Sequence, residues 1–170
     1  MKYGWIAVAV LVAGAASASA ENGKAVLRGT ADGSAITGIA KVTPTANGIT
    51  VSVKVEHAPP GKHGFHIHQF GVCDDGGKAA GGHYNPKGVP HGLVTKDGLT
   101  GAHAGDFGNL EVGPDGNGSL EVTVPGVSLT GGQYSVAGRA VVLHELPDDF
   151  GQPTGNAGGR IACGPIVLVE

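Results

Sequence analysis

The chain has 170 residues, a formal net charge of −3 at pH 7, 41% hydrophobic residues, 32 glycines and 10 prolines. That length allows one domain with a substantial core, and the mild negative charge argues against nucleic acid as a general partner. The anomaly is 8 histidines beside only 11 lysines and arginines, which asks for a chemical reason.

In chain order, the first segment does not read as part of a fold. Lys2 gives a short positive start, residues 5–16 form an apolar run, and Ser17-Ala18-Ser19-Ala20 ends in the small-x-small pattern of signal-peptide cleavage. The run is too short to span a bilayer, which takes about 20 apolar residues. A signal peptide over residues 1–20 is expected, with residues 21–170 as the folded domain, periplasmic or secreted and free of the membrane after cleavage. Export permits a disulfide. Cys73 and Cys163 are the two cysteines, so one pairing is available, with two free thiols as the alternative. Closing that loop would stabilise the fold by roughly 4–5 kcal/mol on chain-entropy grounds.

From residue 24 onward, apolar and polar residues alternate with period two between glycine-rich turns, the mark of half-buried strands. Strands are expected at 24–30, 36–43, 49–57 and 63–69. The third is the clearest: Ile49, Val51, Val53 and Val55 point one way, and Thr50, Ser52, Lys54 and Glu56 the other. Asn47-Gly48 supplies a turn signal before it. A weakly periodic stretch, 70–100, then holds Cys73, His83 and His91; loops of this length are usually functional. Strands return near 101–103, 109–112, 118–124, 139–145 and 164–169, with a second glycine-rich loop at 146–162. No helical period is visible. The expectation is an all-β, eight-stranded Greek-key sandwich or flattened barrel with two long functional loops.

Six histidines and one aspartate stand out against this frame: His66, His68, His83, His91, His103, Asp106 and His144. Imidazole is the commonest protein metal ligand, and many imidazoles with one carboxylate suit copper or zinc. His66 and His68 lie two apart on a strand and so leave the same face, while Phe65 and Ile67 turn to the core. His144 supplies a third ligand if its strand neighbours that one; three unrelated surface histidines are the alternative. His83, His91, His103 and Asp106 make a three-imidazole, one-carboxylate set, which suits a closed tetrahedral zinc with a structural role.

Longer motifs carry a resemblance. They are Gly64-Phe65-His66-Ile67-His68, Gly82-His83-Tyr84-Asn85-Pro86, His91-Gly92, His103-Ala104-Gly105-Asp106, Gly138-Arg139-Ala140-Val141-Val142 leading to His144, and Gly155-Asn156-Ala157-Gly158-Gly159-Arg160-Ile161-Ala162-Cys163-Gly164. Together they resemble the copper/zinc superoxide dismutases over residues 24–169, and the placement of Cys73 resembles a bacterial periplasmic member. The resemblance implies copper on His66, His68, His83 and His144, zinc on His83, His91, His103 and Asp106, and a bridging His83. It implies that Asp148, with Asp149 as the neighbouring alternative, links a histidine of each set. It makes Arg160 the channel arginine and Cys73–Cys163 the intrasubunit disulfide. His63 resembles a buried family histidine bonded to the backbone. A homodimer is left open.

The implied function is disproportionation of two superoxide anions to dioxygen and hydrogen peroxide, with copper cycling between Cu(II) and Cu(I). Arg160 would attract the anion and His83 would handle a proton. The alternative is a non-enzymatic copper-binding or delivery module on the same fold. Such modules often lose zinc ligands, the bridging histidine or the channel arginine, all of which this chain keeps.

Overall fold

Alternation of side chains builds the barrel wall. In β3 (Gly48–Glu56), Ile49, Val51, Val53 and Val55 are buried while Lys54 and Glu56 are exposed. The same rule holds Ala25 and Leu27 inside β1 (Asn22–Gly29), and Ala40 and Val42 inside β2 (Thr37–Pro44). Each buried valine, leucine or isoleucine side chain stabilises the fold by about 1.5–3 kcal/mol. These features come from a computed structural model that describes residues 21–170; the expected signal peptide lies outside the described residues.

The remaining strands are β4 (Gly61–His68), β5 (Asp106–Val112), β6 (Gly118–Pro125), β7 (Ala140–His144), β8 (Arg160–Pro165) and β9 (Val167–Val169). All ladders are antiparallel, in the order β2-β3-β6-β5-β4-β7-β8-β1. Pairing of β1 with β2 closes the ring, and β9 adds to the start of β1. The architecture is thus a closed eight-stranded barrel with one extra strand. Strands β4, β5 and β6 follow one another, and the chain then crosses over to lay β7 beside β4, the Greek-key connection.

Two expected strands need correction. Residues 101–103 are not a strand: a short helix, α1 (Val94–Gly101), ends there, interrupted at Gly98. At eight residues with a break it is too short for a helical period to show. It is fixed instead by Val94, which is buried, and by the Asp97 carboxylate accepting the Leu93 N–H at 2.9 Å. The expected strand 164–169 begins earlier, at Arg160, and is interrupted at Ile166, whose N–H bonds Arg139 O at 2.7 Å. The second loop therefore spans 145–159 rather than 146–162.

Cys73 and Cys163 form a disulfide with Cα atoms 5.7 Å apart, so the free-thiol alternative falls. It packs with Ala80, Ala140 and Val142 in a small apolar cluster outside the main core. The bond ties the first loop, 69–105, to β8.

Candidate metal centre

The site grows from the outward face of β4. Phe65 and Ile67 join the core, so His66 and His68 must leave by the other face. That face is nevertheless closed: His66 and His68 are 0% and 1% exposed. The two long loops cover them. β7 lies beside β4, pairing His66 with Val142 and His68 with Ala140, which meets the condition for His144 to join them. Irregular registers interrupt β4 at Gly64/His66 and β7–β8 at Leu143/His144, and bulges of this kind re-aim side chains near sites.

His66, His68, His83 and His144 present ligand atoms within 4.8 Å of one another, and so do His83, His91, His103 and Asp106. All seven residues are buried. His83 belongs to both groups. Its Nδ1 lies 2.8 Å from Asp106 Oδ1, which leaves Nε2 for the other group.

Hydrogen bonds fix which nitrogen of each ring faces inward. His68 Nδ1 donates to Gly81 O at 2.9 Å and His144 Nδ1 faces Gly158 O at 3.4 Å. Neutral rings so arranged turn two bare Nε2 atoms toward each other, 3.2 Å apart. His66 Nε2 donates to Asp148 Oδ2 at 2.8 Å, and its Nδ1 is buried with no partner. His91 Nε2 donates to Asp148, 3.0 and 3.1 Å from its two oxygens. His91 Nδ1 then sits 2.8 Å from Asp106 Oδ2, but the approach lacks hydrogen-bond geometry. Lone pairs facing one another in a buried space repel unless a cation or a proton sits among them. The donor sets therefore fit metal ions: imidazoles alone in one, and three imidazoles with a carboxylate in the other.

Burial, the foremost cause, holds the pKa of His68 down to about 2, His144 to about 3 and His83 to about 4. These rings are neutral, as metal ligands must be. At Asp106 burial works against the charge, but the hydrogen bonds from His103 and His83 and the close His91 ring outweigh it and hold the carboxyl far below its usual range. Burial likewise opposes charge on His91, yet the Asp106 and Asp148 carboxylates raise it to about 9.

Asp148 joins the groups, with one carboxylate bonded to His66 of the first and His91 of the second. Asp149 does not; it is exposed and bonds Gly151 N–H and Asn156. Glycine is required at 155, where φ is +73° and a Cβ would collide with Asp148 and His91. It is required again at 105, where a Cβ would strike Ile67 O.

Arg160 is half-buried and its guanidinium donates to Gly77 O and Gly81 O. Its charge helps depress His68 and His144 after burial has acted, so it lies within electrostatic reach of both. His63 is buried, with its ring nitrogens 2.9 Å from His144 O and 2.8 Å from Pro59 O. Lys78, Lys87 and Lys96 are exposed.

Sequence reasoning missed three supports. Asn109 exchanges two bonds with the Asp148 main chain, at 2.7 and 2.9 Å. Gln152 does the same with His91, at 3.0 and 2.8 Å. Arg139 lies over the Tyr84 ring. A polar side chain bonded to a distant backbone leaves no periodic signal.

The family model described as copper/zinc superoxide dismutase matches residues 36–166. Among solved structures, the chain is similar to one titled "Crystal Structure Analysis of the clock protein EA4". The two are 33% identical, with a TM-score of 0.76, over 94% of this chain and 100% of that one.

Proposed function

The chain belongs to the copper/zinc superoxide dismutase family, and from that membership we propose that it disproportionates superoxide to dioxygen and hydrogen peroxide. His66, His68, His83 and His144 would hold copper; His83, His91, His103 and Asp106 would hold zinc. The observation that carries this reading is the sharing of His83 between two buried groups whose ligand atoms lie within 4.8 Å of one another, with His66 Nδ1 and His91 Nδ1 buried without a hydrogen-bond partner. When bound, copper supplies a one-electron couple that takes an electron from one superoxide and gives it to a second, while zinc supplies fixed charge and no redox chemistry.

The protein's own residues do the rest. Arg160 offers a permanent planar cation to attract and orient the anion. The chain carries net charge −3, so capture depends on this local field rather than on the whole molecule. Asp106 fixes His83 at Nδ1, so Nε2 is the atom that can hold one of the two protons the peroxide product needs, with solvent supplying the other. Asp148 holds the tautomers of His66 and His91. Cleavage after Ala20 and export to a bacterial periplasm belong to the same proposal, and N-terminal sequencing of the mature protein checks them.

The test is metal analysis of purified protein with a superoxide-disproportionation assay. One copper and one zinc per chain with rapid turnover supports the proposal. Copper uptake without turnover supports the alternative, a non-enzymatic copper-binding module on the same barrel.

A further inference from the structure

Arg139 stands immediately before β7, the strand that ends at His144, and it has no part in the chemistry above. Its guanidinium carbon lies 3.5 Å from the centre of the Tyr84 ring. Its Nε donates to Ser135 O and its Nη1 to Gln69 O, both at 2.8 Å. Tyr84 follows His83, and Gln69 follows His68. One planar cation thus touches the residue after each of two histidines in the same group.

Those histidines are already partners. His68 and His83 face each other in an isolated antiparallel bridge. Gln69 N–H bonds Gly82 O at 3.0 Å and Tyr84 N–H bonds Ile67 O at 2.8 Å on either side of it. A bridge of one residue pair is easily sheared, because no ladder extends it. Tyr84 is 3% exposed, its hydroxyl donates to Gln133 O, and its own carbonyl accepts the Gly105 N–H at 3.1 Å. A ring so held is a firm surface for the guanidinium to lie on.

We propose that Arg139 is a positioning residue: by covering the Tyr84 ring and binding Gln69 O, it sets the separation and angle of His68 and His83, and so the geometry and retention of copper between them. The inference rests on the assignment of copper to this group. A guanidinium suits the task because it is planar and presents several donors in a fixed fork, so it can stack and bind two carbonyls at once. An ammonium can keep its charge over the ring but cannot reproduce both bonds and the stack.

The test uses zinc-loaded full-length mature protein titrated with Cu(II) ion alone. Arg139→Lys and Tyr84→Leu are compared with wild type by the Cu(II) electron paramagnetic resonance spectrum and by the rate at which a chelator withdraws copper. Both variants are expected to shift the copper hyperfine splitting and to release copper about tenfold faster, the scale of one lost charge-assisted hydrogen bond. Tyr84→Phe keeps the ring face and is expected to hold the wild-type spectrum. If Arg139→Lys and Tyr84→Leu keep the wild-type spectrum and release rate, even with lowered melting temperatures, Arg139 is merely structural and the inference is overturned. A wild type that takes up no copper overturns both the inference and the dismutase reading. A wild type that binds copper but does not turn over superoxide, with shifted variant spectra, sinks the dismutase reading and supports the inference.

Discussion

His68 and Arg160 bind the same acceptor, the carbonyl oxygen of Gly81. One backbone group therefore sets the tautomer of a candidate copper ligand and the position of the cation beside it. Removing the cation should cost rate without emptying the metal groups. Arg160→Ala is expected to lower the disproportionation rate by roughly tenfold or more, within the range of electrostatic steering, and to flatten its dependence on salt. Arg160→Lys should fall between. Stopped-flow rates at several ionic strengths check this; an Arg160→Glu variant with wild-type salt dependence would remove Arg160 from the mechanism.

Asp148 binds His66 and His91 through one carboxylate. Asp148→Ala frees both rings, and partners of this kind typically contribute 10- to 100-fold in metal affinity. Both copper and zinc should therefore weaken by about that factor. Chelator competition for each metal is the measurement, and loss at one group only would contradict the link.

Acid and alkali should both destabilise the metal-free protein, each through different groups. His68, His83 and His144 stay neutral down to about 2, 4 and 3, whereas in the unfolded chain they take protons near 6.5. Their contribution is present above about 6.5 and is lost as pH falls. Asp106 and Asp148, held below their usual range, add to the acid loss. His91 is raised to about 9, so its contribution is full below about 6.5 and is lost as pH rises through 9. Melting temperature should peak near pH 6.5, a maximum absent if the rings titrate normally.

The same shift predicts proton release on zinc uptake. At pH 7.5 His91 carries a proton that zinc must displace, while the rings of His68, His83 and His144 are already neutral. Calorimetry of zinc binding in two buffers of different ionisation enthalpy should show close to one proton released per zinc. Heats that do not change with buffer would refute this.

The disulfide closes a separation of 90 residues and holds the loop whose Gly77 carbonyl receives Arg160. Cys163→Ser should cost about 2–5 kcal/mol of stability. It should also lower activity in protein that remains folded, because the loop can move away from Arg160. Denaturant titration and a rate measurement on the same sample separate the two effects.

The barrel was legible because strand alternation is local: Ile49 to Val55 announce their face without reference to any partner. Helix α1 was not, since eight residues broken at Gly98 hold no resolvable period, and the strand expected at 101–103 was lost with it. The residue types able to bind metal were legible too, because six imidazoles and a carboxylate have a chemistry independent of fold, and their motifs resemble one family. Sequence by itself thus determined the inside and outside of each strand, the cysteine pair available and the donors on offer. Tertiary structure decided that His144 meets His66 across β4 and β7, that Asp148 and not Asp149 turns inward, and that Arg139, Asn109 and Gln152 reach Tyr84, the Asp148 main chain and the His91 main chain. The reason is physical: those contacts join residues tens of positions apart, and only closure of the barrel and folding of two loops over one strand face bring them within hydrogen-bond range.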